Sequence, residues 1–270
     1  MLSVFLAALA CIACITTPVE TVEPVGIDFR VAYEDKEQPP YYMGWTEEVL
    51  PEAPGVVVEM IRMLETKIPG VRVSLTRVPW TRCLEGVRSN LYDATFNASY
   101  TSDRLEAGWY PTLDGTHGGK PDESKRITVM TYYLYVPAES SLDWDGKHFL
   151  NLRGTIGAQL GYSIVQDLKR LGVEVYEVAS GARNILRMLQ SGRFSGAVLQ
   201  AVTADGILEG SDEYSGIVKR PVPVVSKSYY LLLSHGFVEK HPELARRIWQ
   251  AIEEIREEHF ESLVNKYKSE

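Results

Sequence analysis

The sequence predicts an α/β protein built as two lobes around a central cleft, joined by two extended crossovers. Three observations carry this. Residues 26–98 alternate short apolar, β-branched runs with segments of helical period in the order strand, helix, strand, helix, strand, which is the pattern of a mostly parallel sheet with helices on its faces. The same order returns over residues 153–200. Two extended Val- and Tyr-rich segments, 127–138 and 214–234, link the two runs, and two passages between similar lobes predict a hinged pair.

Taken in order, "GIDFRVAYED" and "VRVSLTRVPW" read as strands bracketing a helix in "GVVVEMIRMLETKIPG", where Val57, Val58, Ile61, Met63, Leu64 and Ile68 recur at helical spacing. A second helix, "TRCLEGVRSN", leads into the strand "LYDATFNA". A loop rich in Gly, Asp and Pro (112–126) precedes the long strand "ITVMTYYLYVPA". The second run follows as strand "RGTIGAQLG", helix "YSIVQDLKRLG", strand "VEVYEVAS", helix "ARNILRMLQSG" and strand "FSGAVLQ". After the second crossover a closing helix spans residues 242–267, with Leu244, Ile248, Ile252, Ile255, Leu263 and Tyr267 forming an apolar stripe opposite a charged face. The expected division is residues 1–24 as a leader, 25–131 with 226–270 as the first lobe, and 132–225 as the second.

Composition narrows the function. A chain of 270 residues with 45% hydrophobic content can bury real cores. Its net charge of −8, with no basic run longer than Lys125-Arg126 or Arg246-Arg247, excludes a nucleic-acid backbone as partner. Residues 4–15 form one apolar run, too short for a bilayer span of roughly 20 residues but suited to a secretory leader. Ala8-Leu9-Ala10 fits cleavage, and Cys11 or Cys14 fits a lipid-modified cysteine, although the segment before the run carries no Lys or Arg. Removal of the leader leaves Cys83 alone, read as a small buried apolar residue. The five histidines are scattered, with no paired cysteines, no HExxH, no phosphate loop, no dinucleotide fingerprint and no nucleophile elbow, so neither metal nor cofactor is expected.

Several short patterns follow one another in a recognisable order: "QPPYY" after the first strand, Gly55 before the first helix, "VPWTRCLEGVRSNLYDA", "TSDR", "IGAQLGYSIVQDL" and "LQSGRFSGAVL". On these the chain resembles the bacterial extracellular solute-binding proteins of family 3, from about Phe29 to Tyr267. The resemblance implies the type II, Venus-flytrap form of the two-lobed fold and capture of an amino acid or similar polar solute for a membrane permease of an ABC transporter. It also implies a periplasmic or extracytoplasmic location and a monomer.

The resemblance assigns a site. Arg104 matches the arginine that takes a ligand carboxylate, and its planar fork suits both oxygens as a lysine does not. Asn97, Ser99 and Thr101 would serve the remaining polar atoms, while Gly161, Tyr162 and Ser163 lie where a strand runs into a helix N-terminus that favours an anion. Tyr41, Trp80 and Tyr100 are the aromatics expected at the cleft. Gln200 stands where amino-acid binders carry an aspartate for the ligand ammonium, and Asp35, at the acidic position after the first strand, is the candidate substitute. A carboxylate-bearing ligand survives these departures better than an α-amino acid does. Two other functions compete: a dehydratase-like cleft enzyme with Glu34, Asp35 or Asp103 as general acid, and a sensing subunit that reports ligand to a membrane receptor.

Overall fold

The computed structural model describes residues 26–268; the expected leader and its cysteines, Cys11 and Cys14, lie outside them. The first run forms strand β1 (Ile27–Glu34), helices α1 (Val56–Arg62) and α2 (Leu64–Lys67), β2 (Val71–Val78), α3 (Trp80–Arg88) and β3 (Ala94–Ser99). The first crossover is β4 (Thr128–Pro137), followed by a small pair, β5 (Asp143–Trp144) and β6 (Phe149–Leu150). The second run gives β7 (Ile156–Gln159), α4 (Ser163–Arg170), β8 (Val175–Val178), α5 (Ala182–Gln190), β9 (Gly196–Gln200) and α6 (Ala201–Glu209). The second crossover is the 17-residue β10 (Ile217–Leu233), after which α7 (His235–Lys240) and α8 (Pro242–Lys268) close the chain.

Eight strands form one sheet in the order β2-β1-β3-β10-β4-β9-β7-β8. Within each run the strands are parallel, and the crossovers β4 and β10 are antiparallel to each other and to their neighbours β9 and β3. Tyr229–Leu233 of β10 pairs with β3, whereas Tyr132–Tyr135 of β4 pairs with β9. The two-lobed architecture follows, with the crossovers passing between the lobes and the cleft on the side where β1, β3, β7 and β9 end.

The helical stripe of the first run is buried as its period requires: Val57, Val58, Ile61, Leu64 and Ile68 are all within 3% of fully buried. The break between α1 and α2 falls at Met63. Ile248, Ile252, Ile255 and Leu263 of α8 join the same core, each fully buried Ile or Leu contributing about 1.5–3 kcal/mol. Cys83 is fully buried beside Val87 and Ala32. Gly55, ahead of α1, has a φ of 113°, and a Cβ there would lie 2.4 Å from Tyr42 Cα and 2.5 Å from the Tyr41 carbonyl oxygen, so the chain can pass only as glycine.

Two helices escape the sequence reading. In α6, "AVTADGILE" buries only Thr203, Ala204 and Ile207, and its small residues with an internal glycine leave little helical period to detect. In α7 the helix is short and is fixed by Ser234, whose hydroxyl accepts from the Phe237 amide at 3.2 Å.

Candidate functional site

Strand ends from both lobes meet at a narrow pocket lined by Glu34, Trp80, Asn97, Arg104, Tyr162 and Gln200, among others. Arg104 reaches it from the short 3-10 turn Ser102–Glu106 that follows β3. Its Nη1 donates to the carbonyl and hydroxyl oxygens of Ser99 at 3.0 and 2.9 Å, and its Nη2 donates across the cleft to the Gly161 carbonyl at 3.2 Å. Arg104 is 8% exposed, and no carboxylate among the described residues forms an ion pair with it. Trp80, at the start of α3, lies under it and donates its indole N–H to the same Gly161 carbonyl at 3.1 Å. Gly161 has a φ of 76°, so the turn into α4 is one that glycine adopts without strain.

Asn97 sits in β3 at a φ of 55°. There Phe96 and Asn97 stand opposite the single residue Leu231 of β10, since Ala98 pairs with Tyr230 and Thr95 with Leu232. Such a bulge re-aims a side chain out of the regular alternation. Asn97 lines the pocket, is 5% exposed, and finds no protein partner for either Oδ1 or Nδ2. Buried amides without partners are rare and costly, and they concentrate at functional sites.

Glu34, the last residue of β1, brings a carboxyl group to the same pocket. Tyr42 donates to it at 3.2 Å and Gln159 at 2.8 Å, and Tyr162 donates to it across the cleft. Burial pushes it up to about 7, against the opposing effect of those three donors. Gln38 Nε2 in turn donates to the Tyr162 hydroxyl at 2.8 Å. Gln200 donates to the hydroxyls of Tyr132 and Tyr229 at 3.0 and 3.3 Å, and those two hydroxyls are 2.5 Å apart.

The structure brings together Trp80, Asn97, Arg104, Tyr162, Ser163 and Gln200 as pocket lining. Ser99 and Gly161 stand behind Arg104 as its hydrogen-bond acceptors, and the Ser99 hydroxyl bonds Ser163 Oγ at 2.7 Å. Four expected residues lie elsewhere. Asp35 pairs with Lys36 at 2.8 Å and is not in the pocket lining, because successive strand side chains face opposite ways and Glu34 takes the inward place. Tyr41 is in the hydrophobic core, with Tyr42 at the pocket, because the turn over residues 38–42 sends the two rings in different directions. Tyr100 and Thr101 line an outer groove with Lys227. The Tyr100 hydroxyl donates to Gly118 of the long 112–126 loop at 3.3 Å. Gln38, Tyr42 and Tyr229 are lining residues that the sequence did not point to, and Glu34, named there only as a candidate general acid of the competing enzyme reading, lines the pocket as well; for Glu34 the strand parity alone carried the signal.

Among the described residues no group of His, Cys, Asp and Glu is arranged to hold a metal ion, and no helix is long and apolar enough to cross a membrane.

Neither family models nor curated proteins match the chain. Solved structures do. The substrate-binding protein of an amino acid ABC transporter is 14% identical with a TM-score of 0.67, covering 90% of this chain and 100% of that one. The ligand-binding core of GluR0 from Nostoc punctiforme, in complex with L-glutamate, is 18% identical with a TM-score of 0.64, covering 88% and 98%. An ancestral amino acid-binding protein described as a precursor of cyclohexadienyl dehydratase is 13% identical with a TM-score of 0.65, covering 89% and 94%. The chain therefore has the two-lobed periplasmic-binding-protein fold, and the resemblance seen in its sequence is matched in three dimensions by amino-acid-binding proteins.

Proposed function

We propose that this is a secreted solute-binding protein that captures a small carboxylate-bearing polar solute between its lobes and presents it, as a monomer, to a membrane permease of ABC type. The carrying observation is Arg104: a buried guanidinium lining the pocket, with backbone and hydroxyl acceptors but no protein carboxylate. A charge buried in this way calls for a counter-ion, and a planar fork selects a carboxylate. Asn97, unpartnered in the same pocket, supplies a donor and an acceptor. The lobes are taken as 25–131 with 226–270 and 132–225, the leader 1–24 directing export with Cys11 or Cys14 as a site for a lipid anchor. Similar solved structures described as an ABC-transporter substrate-binding protein and as a GluR0 ligand-binding core with L-glutamate favour solute recognition rather than any one partner.

The test is a thermal-shift screen of the chain from Val25 against amino acids, deaminated and decarboxylated analogues, dicarboxylates and polyamines. A ligand at about 100 times its Kd adds roughly 2.7 kcal/mol, a shift of several degrees at this size. Hits confined to carboxylates support the reading; hits with polyamines alone sink it.

One observation favours a second reading. Glu34 is a buried carboxyl held near neutrality inside the pocket, which is what a general acid of a cleft enzyme needs. Turnover of a hydroxylated carboxylic acid by the wild type and its loss in Glu34→Gln would establish that reading; unchanged substrate after prolonged incubation with the wild type would end it.

A further inference from the structure

A second, narrow compartment adjoins the Arg104 pocket, and Gln38, Tyr162 and Gln200 line both. Its own walls are Glu37 and Thr203 with the apolar side chains of Ile164, Ala182, Val198 and Leu199. No basic residue lines it. The polar groups there are unevenly spent. The amide nitrogens of three lining glutamines are committed to protein acceptors: Gln38 to Tyr162, Gln159 to Glu34, and Gln200 to Tyr132 and Tyr229. What remains is mostly acceptor. Gln38 Oε1, in a residue 5% exposed, has no partner, the Thr203 hydroxyl, 6% exposed, has none either, and Glu37 adds a half-buried carboxylate that accepts from the Gly44 backbone and faces Arg183 and Arg77 from outside the lining.

The Arg104 end shows the reverse. Its one lining carboxyl, Glu34, already receives three hydrogen bonds. Gln200, where an ammonium-binding aspartate would stand, is neutral and tied to two tyrosines. Beside Arg104 the unpartnered acceptors are the neutral amide oxygens of Asn97 and of the shared Gln38, whereas the second compartment adds a carboxylate and a hydroxyl.

Resting on the reading of Arg104 as carboxylate anchor, we propose that the second compartment receives the cationic, N–H-rich end of an elongated solute, so that the ligand is an ω-amino or ω-guanidino acid in which an α-ammonium is dispensable. An ammonium or guanidinium supplies the donors that the unspent oxygens lack, and the apolar walls accommodate the methylenes between the two charged ends.

Calorimetric titration of the wild type with 5-aminopentanoate, 4-guanidinobutanoate, pentanoate, L-norvaline and 1,5-diaminopentane tests this. The expected result is that an ω-cationic acid binds at least about tenfold tighter than both pentanoate and L-norvaline, and that Glu37→Gln closes most of that gap. Thr203→Val, which removes a hydroxyl with no protein partner, serves as the second variant and is expected to narrow it. L-norvaline equal to or tighter than the ω-cationic acids, or all acids binding alike, overturns the inference and leaves the Arg104 anchor standing. A preference for the diamine over every acid, or no binding by any acid, overturns the anchor and the inference with it.

Discussion

Arg104 and Trp80 act on one acceptor: the guanidinium carbon lies 5.1 Å from the centre of the indole ring, and both side chains donate to the Gly161 carbonyl on the other lobe. The contact fixes the fork in place from below while its edge remains at the pocket, so the arginine arrives with little rotamer freedom left to lose.

Arg104→Lys keeps the charge and loses the planar fork. It is expected to weaken binding of a carboxylate ligand by about 2 kcal/mol or more, with a much smaller change in thermal stability than in affinity. Titration of wild type and variant with the best acid from the screen checks it; equal affinities would remove Arg104 as the anchor.

Asn97 combines a positive φ with two unpartnered buried polar atoms. Asn97→Gly relieves both, so the protein without ligand should gain about 0.5–1 kcal/mol in denaturant unfolding while its affinity falls. A variant that is both less stable and equally competent in binding contradicts the assignment.

Glu34 sets a pH dependence. Its folded-state value, about 7, lies above the ordinary 4.5 of an exposed glutamate, so between those values the folded chain keeps a proton that the unfolded chain has lost. Its contribution is complete below the unfolded value and is lost as pH rises through 7, amounting to roughly 3 kcal/mol at most. Urea midpoints measured at about pH 5 and about pH 8 should fall with pH in the wild type, and the fall should shrink in Glu34→Gln.

Gly55→Ala places a Cβ against the backbone of Tyr41 and Tyr42 at a φ that alanine rarely adopts. A loss of several kcal/mol is expected, read as a drop in the urea midpoint. A wild-type midpoint would show that the entry to α1 is not as constrained as its geometry states.

What the sequence made legible was whatever repeats with a period. The strands and helices of both runs, the two crossovers and the stripe on α8 all carry apolar spacing, and all of them form. Arg104, Asn97 and Ser163 were legible because each stands in a short pattern tied to a strand end. The exchange of Asp35 for Glu34 was legible in strand parity alone, since Glu34 still belongs to β1, whereas that of Tyr41 for Tyr42 falls in a turn, where spacing is silent once the pleat has given way. Gln38, Tyr132 and Tyr229 come from three separate elements, and the two tyrosine hydroxyls meet although the strand register pairs Tyr132 with Val225 and Tyr229 with Thr128.

The position of β10 between β3 and β4 has a consequence for how the chain must be made. β3 gains its second neighbour only from residues 229–233, so throughout synthesis of everything from residue 100 to that point its outer edge stays bare. A bare strand edge recruits other strands, and pairings so distant in sequence are slow to form. Chains truncated before residue 229 should therefore accumulate as aggregates rather than as a free first lobe, and the lobe that begins first off the ribosome is the one that must finish last.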